Sequence, residues 1–282
     1  MKRKKNIVWL ASYPKSGNTW LRILLSHYFK NDNKGFNLNN LITDGIASNR
    51  DIFEEATGLD SSEITNDEID NLRPMVYRYL SESSNQLLYY KIHDANHKNK
   101  NNEYLIPEDV THKVIYLIRN PLDVAVSFAF HSAIEIGQAV NFICNENATF
   151  CSTNKLLSFQ LRQLVFSWNS HVKSWTEDKR LDVHVVKYED LLADASGEFE
   201  KIIHFIELSV NKSALQYAVK NSKFDKMRKI EDNEGFREKP LYSARFFRKG
   251  EMDDWKNYLS GYQVKTIQDC SAEMMEKYGY IR

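Results

Sequence analysis

Four short runs of this sequence combine residue types that hold anions or move protons. In Ser12-Tyr13-Pro14-Lys15-Ser16-Gly17-Asn18-Thr19-Trp20, a Pro and a Gly form a tight turn between an apolar run and an amphipathic one. Successive backbone N–H groups at such a turn, backed by a helix N-terminus, make a cradle for an anion. Lys15 adds a mobile positive charge to it. The G-x-x-x-x-G-K spacing of a Walker A loop is absent. The second run, Arg119-Asn120-Pro121-Leu122-Asp123-Val124-Ala125-Val126-Ser127, again delivers a cation at the end of a buried strand. Asn120 suits an N-cap and Pro121 the first helical position. Ser127 then lies roughly 9 Å along the helix, so Arg119 and Ser127 are spaced to grip a second phosphate, the guanidinium through a forked contact. Read alone, the same residues serve equally well as a structural ion-pair partner and a small helix-packing residue.

Third, Tyr90-Lys91-Ile92-His93 closes a strand, and the two-residue side-chain period puts Lys91 and His93 on one face. A histidine at a strand C-terminus of an open α/β sheet borders the ligand crevice and takes up a proton near neutral pH, while the lysine steadies developing negative charge. A lone histidine there is more often a satisfied structural group. Fourth, Arg245-Phe246-Phe247-Arg248-Lys249-Gly250, followed by Asp254-Trp255-Lys256-Asn257, sets three cations among aromatics, suited to closing over a phosphate or to lying solvated before the last helix.

These runs need a scaffold of strands with helices between them. Apolar, β-rich stretches at Ile7–Ser12, Leu87–Ile92, Lys113–Ile118 and Val183–Val186 lack polar alternation, as strands covered on both faces do. Helices are expected at Thr19–Lys30, Asn66–Ser81, Leu122–Ala133, Phe159–Thr176 and Trp255–Lys277, with Thr65 and Glu68 at capping-box spacing. In Phe159–Thr176 the stripe of Leu161, Leu164, Val165, Trp168, Val172 and Trp175 reads as a core face. Asn31–Asn40 and Asn96–Asn102 read as loops, and Ile134–Ser158 as a long active-site loop or lid. The fold class is therefore α/β, a central parallel sheet flanked by helices in a single domain over residues 1–282.

The 282 residues carry 38 basic and 38 acidic side chains, so no net field draws the chain to nucleic acid or to an anionic membrane. With 42% hydrophobic residues, 10 Gly and 5 Pro, disorder and linker-rich architectures are excluded. The apolar runs Ile7–Ala11 and Val114–Ile118 fall far short of the ~20 residues a spanning helix needs. The basic start, Lys2-Arg3-Lys4-Lys5, precedes too short an apolar stretch for a signal peptide and reads as a solvated tip. Cys144, Cys151 and Cys270 have no zinc-site spacing and are expected to be reduced thiols in a cytoplasmic protein. No acidic cluster points to bound magnesium.

Together the four runs resemble the cytosolic-type sulfotransferases that use 3′-phosphoadenosine 5′-phosphosulfate (PAPS), with a match running from residue 7 to about residue 260. Tyr13–Trp20 looks like the family's P-loop-like phosphosulfate loop, Y-P-K-S-G-T-T-W, with Asn18 in place of a threonine. The resemblance implies that Lys15, Ser16, Gly17, Asn18, Thr19 and Trp20 line the 5′-phosphosulfate and adenine, and that Arg119 and Ser127, within R-N-P-x-D-x-x-V-S, hold the 3′-phosphate. Lys91 and His93 match K-x-H, whose histidine is the catalytic base, and Arg248-Lys249-Gly250 matches the R-K-G loop on the 3′-phosphate. Ser222-Lys223-Phe224 and Met227 resemble an S-F…M stretch whose aromatic packs on adenine. Tyr188 falls where the family has a nucleotide-contacting tyrosine. On the residues alone, Trp20 and Tyr188 read equally well as core. Asp253 replaces a family glycine, so that loop is expected to close differently. Ser260, Gly261 and Lys265 degrade the dimer motif K-x-x-x-T-V-x-x-x-E. Asn18 and the long segment after His131 look more like bacterial enzymes that sulfate glycopeptide antibiotics than animal phenol sulfotransferases.

The implied reaction is in-line transfer of a sulfuryl group from PAPS to a hydroxyl of a phenol, alcohol, sugar or glycopeptide. His93 acts as base, Lys15 attends the bridging oxygen and Lys91 the sulfuryl oxygens, with no metal. The acceptor pocket is expected among Gly35–Asn49, Asn96–Asn102, Ile134–Ser158 and Lys229–Phe247, with Phe36, Phe130, His131, Phe142 and Phe236 as lining candidates. Two rivals stay open: an ATP- or GTP-dependent phosphotransferase, which leaves Arg119 and Ser127 without a task, and a non-catalytic nucleotide-binding protein.

Overall fold

A computed structural model describes residues 4–30, 36–41, 43, 45–153 and 157–281. Parts of the basic start, of the Asn31–Asn40 and Gly35–Asn49 loops and of the Ile134–Ser158 segment lie outside them. Along the chain run β1 (Ile7–Ser12), α1 (Asn18–Lys30), β2 (Gly45–Ile46), α2 (Arg50–Thr57), α3 (Asn66–Glu82) and β3 (Leu88–Ile92). Next come β4 (Thr111–Ile118), α4 (Pro121–Ser132), α5 (Ile136–Ile143), β5 (Thr149–Phe150), β6 (Gln163–Leu164), α6 (Trp168–Thr176) and β7 (Val183–Lys187). The rest is helical: α7 (Tyr188–Ala193), α8 (Ala195–Phe205), α9 (Lys212–Asn221), α10 (Phe224–Glu234), a 3-10 turn (Asp254–Asn257) and α11 (Gly261–Lys277).

The backbone divides into two compact units, one of Met1–Tyr13, Asp44–Tyr116 and Asn145–Val185, the other of Pro14–Thr43, Leu117–Cys144 and Val186–Arg282. The first carries the five-stranded parallel sheet, ordered β2-β3-β1-β4-β7. Ile7 pairs with Leu88 and Ala11 with Ile92. Every residue of β1 is buried, as expected of a central strand covered on both faces. Trp9 of β1 meets Tyr77 of α3 edge-on at 5.0 Å and donates to the Thr111 hydroxyl at 2.9 Å, tying sheet to helix. The Thr65–Glu68 capping box starts α3, as expected.

In the second unit Asn120 caps α4 through the Leu122 N–H and Pro121 holds the first helical position. A core of Ile23, Leu38, Leu41, Met227, Phe236 and Phe247 joins α1, α10 and the loop that follows α10.

Several expectations are corrected. The Phe159–Thr176 stripe is buried at Leu161, Val165, Trp168, Val172 and Trp175, but it is not one helix. Its first half is irregular apart from the two-residue strand β6, and after Phe166, with a positive φ of 58°, Ser167 caps a fresh helix. Trp255–Lys277 is likewise broken, since Ser260 begins α11 with its own capping box to Gln263. Part of the expected 134–158 lid is helix α5, started by a capping box between Glu135 and Gln138. Finally, Cys144 and Cys270 are not thiols but a disulfide between the end of α5 and α11, leaving Cys151 free.

Candidate active site

The loop after β1 owes its shape to two left-handed residues, Lys15 (φ 70°) and Gly17 (φ 102°). At Gly17 only glycine fits: a Cβ there would lie 2.6 Å from the Tyr188 ring, so Tyr188 packs directly on the loop backbone. The Gly17 carbonyl accepts from the Trp20 and Leu21 N–H groups, turning the loop straight into α1. Ser16, Asn18 and Thr19 are buried behind the turn. The Ser16 hydroxyl has no hydrogen-bond partner among the described residues. Lys15 places its ammonium 4.5 Å from the Phe246 ring.

Arg119, 9% exposed, leaves β4 into the same unit. Its guanidinium lies 4.3 Å from the centre of the Tyr188 ring and donates to the carbonyls of Lys15 (3.3 Å) and Glu251 (2.9 Å). Among the described residues, no carboxylate lies within ion-pair distance of it, and its Nε–H is buried without a partner. Burial raises the Tyr188 phenol above its ordinary range, against the pull of Arg119, so the ring stays neutral under the cation. Trp20 meets Tyr188 edge-on at 5.9 Å and donates to the Ser222 hydroxyl at 3.3 Å. Phe224, at the start of α10, packs so closely on Gly250 (φ 69°) that a Cβ there would clash at 2.3 Å. The 15–20 loop, Arg119, Tyr188 and Ser222 thus form one contiguous set, and Phe224 with Gly250 forms another.

Ser127 lies half-buried on α4, and no hydrogen bond ties it to the rest among the described residues. Arg248 and Lys249 turn to Asp254, Lys249 at 2.6 Å. Burial pushes the Asp254 carboxyl upward, but hydrogen bonds from Lys249 and Arg248 outweigh it and hold it below the usual carboxylate range. Arg248 also lies 4.4 Å from the Phe130 ring. Two carboxylates that sequence reasoning did not single out pin this segment. Asp123 of α4 accepts the N–H groups of Asp253 (2.9 Å) and Trp255 (3.0 Å), and buried Glu231 of α10 accepts those of Phe246 (2.6 Å) and Phe247 (2.9 Å). Burial of Asp123 raises its carboxyl above the ordinary value. Asp123 was within reach of the R-N-P-x-D pattern; Glu231 carried no signal. Asp253, which stands where the resembled family has a glycine, adopts a left-handed conformation (φ 63°).

Lys91 and His93 belong to the first unit. Lys91 is half-buried on β3, its carbonyl accepting the Ala47 N–H at 2.8 Å. His93 Nδ1 is 2.9 Å from the Ser12 carbonyl and 3.3 Å from the Ser12 hydroxyl. A carbonyl only accepts, so Nδ1 carries the proton and Nε2 the basic lone pair, the form a general base requires. Of the lining candidates, Phe236 is core, Phe36 packs on that core and stacks on His27, and Phe142 stacks on Phe128. Phe130 is 42% exposed, and His131 meets Phe246 edge-on. No group of three or more His, Cys, Asp or Glu able to hold a metal occurs among the described residues, nor does a helix long and apolar enough to cross a membrane.

Comparison with known proteins gives the family and the fold. The family model for the sulfotransferase domain matches residues 5–279. Sulfotransferase 2A2 of Rattus norvegicus is 30% identical over 168 residues, 58% of this chain and 56% of that protein. The 3-alpha-hydroxysteroid sulfotransferase of Cavia porcellus is 29% identical over 171 residues, 59% and 57% of the two chains. The matches thus span little more than half the length of these relatives. Mouse sulfotransferase SULT7A1, solved in complex with PAP, superposes with a TM-score of 0.61 at 19% identity, over 98% of this chain and 86% of that one. Retinol dehydratase, solved with androsterone and the inactive cofactor PAP, also gives 0.61, at 18% identity over 96% and 81%. These two structures show the shared fold. The match of the family model across nearly the whole chain places it in the sulfotransferase family.

Proposed function

We propose that this chain transfers the sulfuryl group of PAPS to a hydroxyl of a small-molecule acceptor by in-line displacement. The observation that carries the reading is Arg119: a buried guanidinium with an unpaired Nε–H and no carboxylate partner among the described residues, beside a loop whose backbone only glycine permits. A buried charge without a counter-ion is costly unless an anion meets it. The residues fit the nucleotide: the 15–20 loop and Lys15 for the 5′-phosphosulfate, Arg119, Ser127, Arg248, Lys249 and Gly250 for the 3′-phosphate, and Trp20, Tyr188, Ser222 and Phe224 for the nucleoside. When bound, PAPS supplies the group transferred. His93 takes the acceptor proton at Nε2, while Lys15 and Lys91 neutralise charge that spreads in the transition state.

Residues 1–282 act as one sulfotransferase domain in this reading, supported by the single family match over 5–279. Phenols, alcohols, sugars and glycopeptides are the acceptor classes to screen with labelled PAPS, without metal or nucleic acid. Ser260, Gly261 and Lys265 stand where the family dimer motif has Thr, Val and Glu, so the oligomeric state is to be measured rather than assumed. The name of an Arabidopsis relative, cytosolic sulfotransferase 14, supports a cytoplasmic location. The Cys144–Cys270 disulfide pulls the other way. Fractionation of expressing cells decides the location, and mass spectrometry of the non-reduced protein decides the bond.

The test is binding of adenosine 3′,5′-bisphosphate against ADP, with turnover of His93→Ala alongside. We expect the bisphosphate to bind more tightly, and His93→Ala to keep that affinity while losing transfer. Preference for ADP favours a phosphotransferase instead, and undiminished turnover removes His93 as base.

A further inference from the structure

The turn that carries His93 is held from behind by groups to which no role has yet been given. Arg73 and Asp94 form a buried two-pronged ion pair, both contacts 2.8 Å, and Trp175 donates to the Asp94 carbonyl at 3.0 Å. The neighbouring carbonyl, that of His93 itself, lies 3.2 Å from Nε2 of His171. His171 is fully buried, and its Nδ1 is 2.8 Å from the Tyr116 hydroxyl. These partners fix its protonation. The His93 carbonyl can only accept, so Nε2 of His171 carries the proton, and Nδ1 accepts from the Tyr116 O–H. Burial lowers the basicity of His171 to about 4, so the ring is neutral near pH 7 and keeps this tautomer.

His93 is therefore held at two places, its ring Nδ1–H by the Ser12 carbonyl and its own carbonyl by the His171 N–H. Resting on the assignment of His93 as base, we propose that His171, oriented by Tyr116, is a positioning residue that sets where the basic nitrogen of His93 points. It touches no reacting atom. A histidine that merely filled the core would matter to stability and not to the transfer step. One that aims a base matters to kcat, because a displacement of about 1 Å in a reacting group costs on the order of 100-fold.

The full-length chain tests this. His171→Leu removes the donor, whereas His171→Gln offers an amide N–H to the same carbonyl. We expect the folded Leu variant to lose about 10- to 100-fold in kcat, with affinity for adenosine 3′,5′-bisphosphate within about twofold of the parent, and the Gln variant to recover most of the loss. On a His93→Ala background, His171→Leu should cost no further rate, since both act on one proton transfer. A folded His171→Leu enzyme turning over within twofold of the parent overturns the role, as does an additive loss on the His93→Ala background. His93→Ala at full rate overturns the base assignment itself and this role with it. An inactive His93→Ala beside a fully active His171→Leu overturns only the latter. If His171→Leu does not fold, nitrogen-15 NMR of the unaltered protein decides. We expect His171 as the Nε2–H form and His93 as the Nδ1–H form, and the opposite tautomer of either ring sinks the proposal.

Discussion

Replacing Gly17 by alanine asks whether Tyr188 is packed against the 15–20 loop. The cost has two parts. At φ 102° an L-residue is strained by roughly 1–2 kcal/mol or more. The new methyl also lies 2.6 Å from one carbon of the Tyr188 ring and 3.2 Å from the next. That ring cannot easily yield, being 6% exposed, with Arg119 over one face at 4.3 Å and Trp20 at its edge. Overpacking of this kind adds about 1–3 kcal/mol, for a total of about 2–5 kcal/mol. Gly58→Ala provides the control, because Gly58 has φ 68° with nothing within 4 Å of the added carbon, so only the backbone strain applies. For a chain of this size about 1 kcal/mol moves the melting temperature by roughly 2–4 °C. Scanning calorimetry should therefore show Gly17→Ala melting about 4–20 °C below the parent and Gly58→Ala about 2–8 °C below, with the larger drop in Gly17→Ala. Titration with adenosine 3′,5′-bisphosphate should show affinity lost in the first and kept in the second. If the two variants melt together and both bind nucleotide like the parent, Tyr188 does not press on the loop and the geometry assigned to the cradle is wrong.

Acid should weaken the fold through buried histidines. His171 and His27 are both lowered to about 4 by burial, so between pH 6.5 and 4 the unfolded chain binds protons that the native one refuses. Stability is full above pH 6.5 and falls below it, by about 3 kcal/mol at pH 4 from His171 alone at about 1.4 kcal/mol per pH unit; a urea midpoint unchanged from pH 7 to 5 contradicts this. Asp123→Ala strands the Asp253 and Trp255 N–H groups, at about 1–3 kcal/mol each if they stay unpaired, and should weaken bisphosphate binding by loosening the 248–255 loop. Equal affinity in the variant would show that loop to be held by other means. Reducing the Cys144–Cys270 disulfide, which joins residues 126 apart in sequence, should lower stability by about 2–4 kcal/mol, and identical melts with and without reductant argue against the bond.

The strands and the cation-bearing turns were legible because one local pattern dictates each. An apolar run of five to eight residues buries as a strand, and Asn120-Pro121 starts a helix with a cap and a fixed φ. What escaped was decided at distance or by backbone sign. The stripe through Leu161 and Trp175 is apolar at helical spacing, but a left-handed Phe166 interrupts it, and nothing in a phenylalanine announces a positive φ. The disulfide partners lie on separate helices, so neither spacing nor the odd cysteine count could reveal them. His171 was hidden for a different reason: it sits inside a stripe of Trp168, Val172 and Trp175 that packs as core, and its hydrogen bonds depend on where β3 ends. A buried neutral histidine and a buried apolar residue leave the same trace in a hydrophobic pattern.

The cations of the second unit divide into two kinds. Arg248 and Lys249 share one buried carboxylate, Asp254, so together they present a net single positive charge. Their segment is further tied through backbone N–H groups to Asp123 and Glu231, whose negative charges reduce the local field again. Arg119 is treated differently: carbonyl oxygens and an aromatic face satisfy it, and these orient a guanidinium without neutralising it. Asp123 offsets part of its charge at longer range, but a cation without a contacting carboxylate in a region of low dielectric still attracts an anion more strongly than a paired one does. Under the proposed function, anion binding therefore leans on Arg119, whereas the carboxylate-pinned loop supplies shape. Lys15 sits at a left-handed φ with its ammonium against the Phe246 ring, and under the proposed function that ordering is what an in-line transfer needs from its electrophilic side chains.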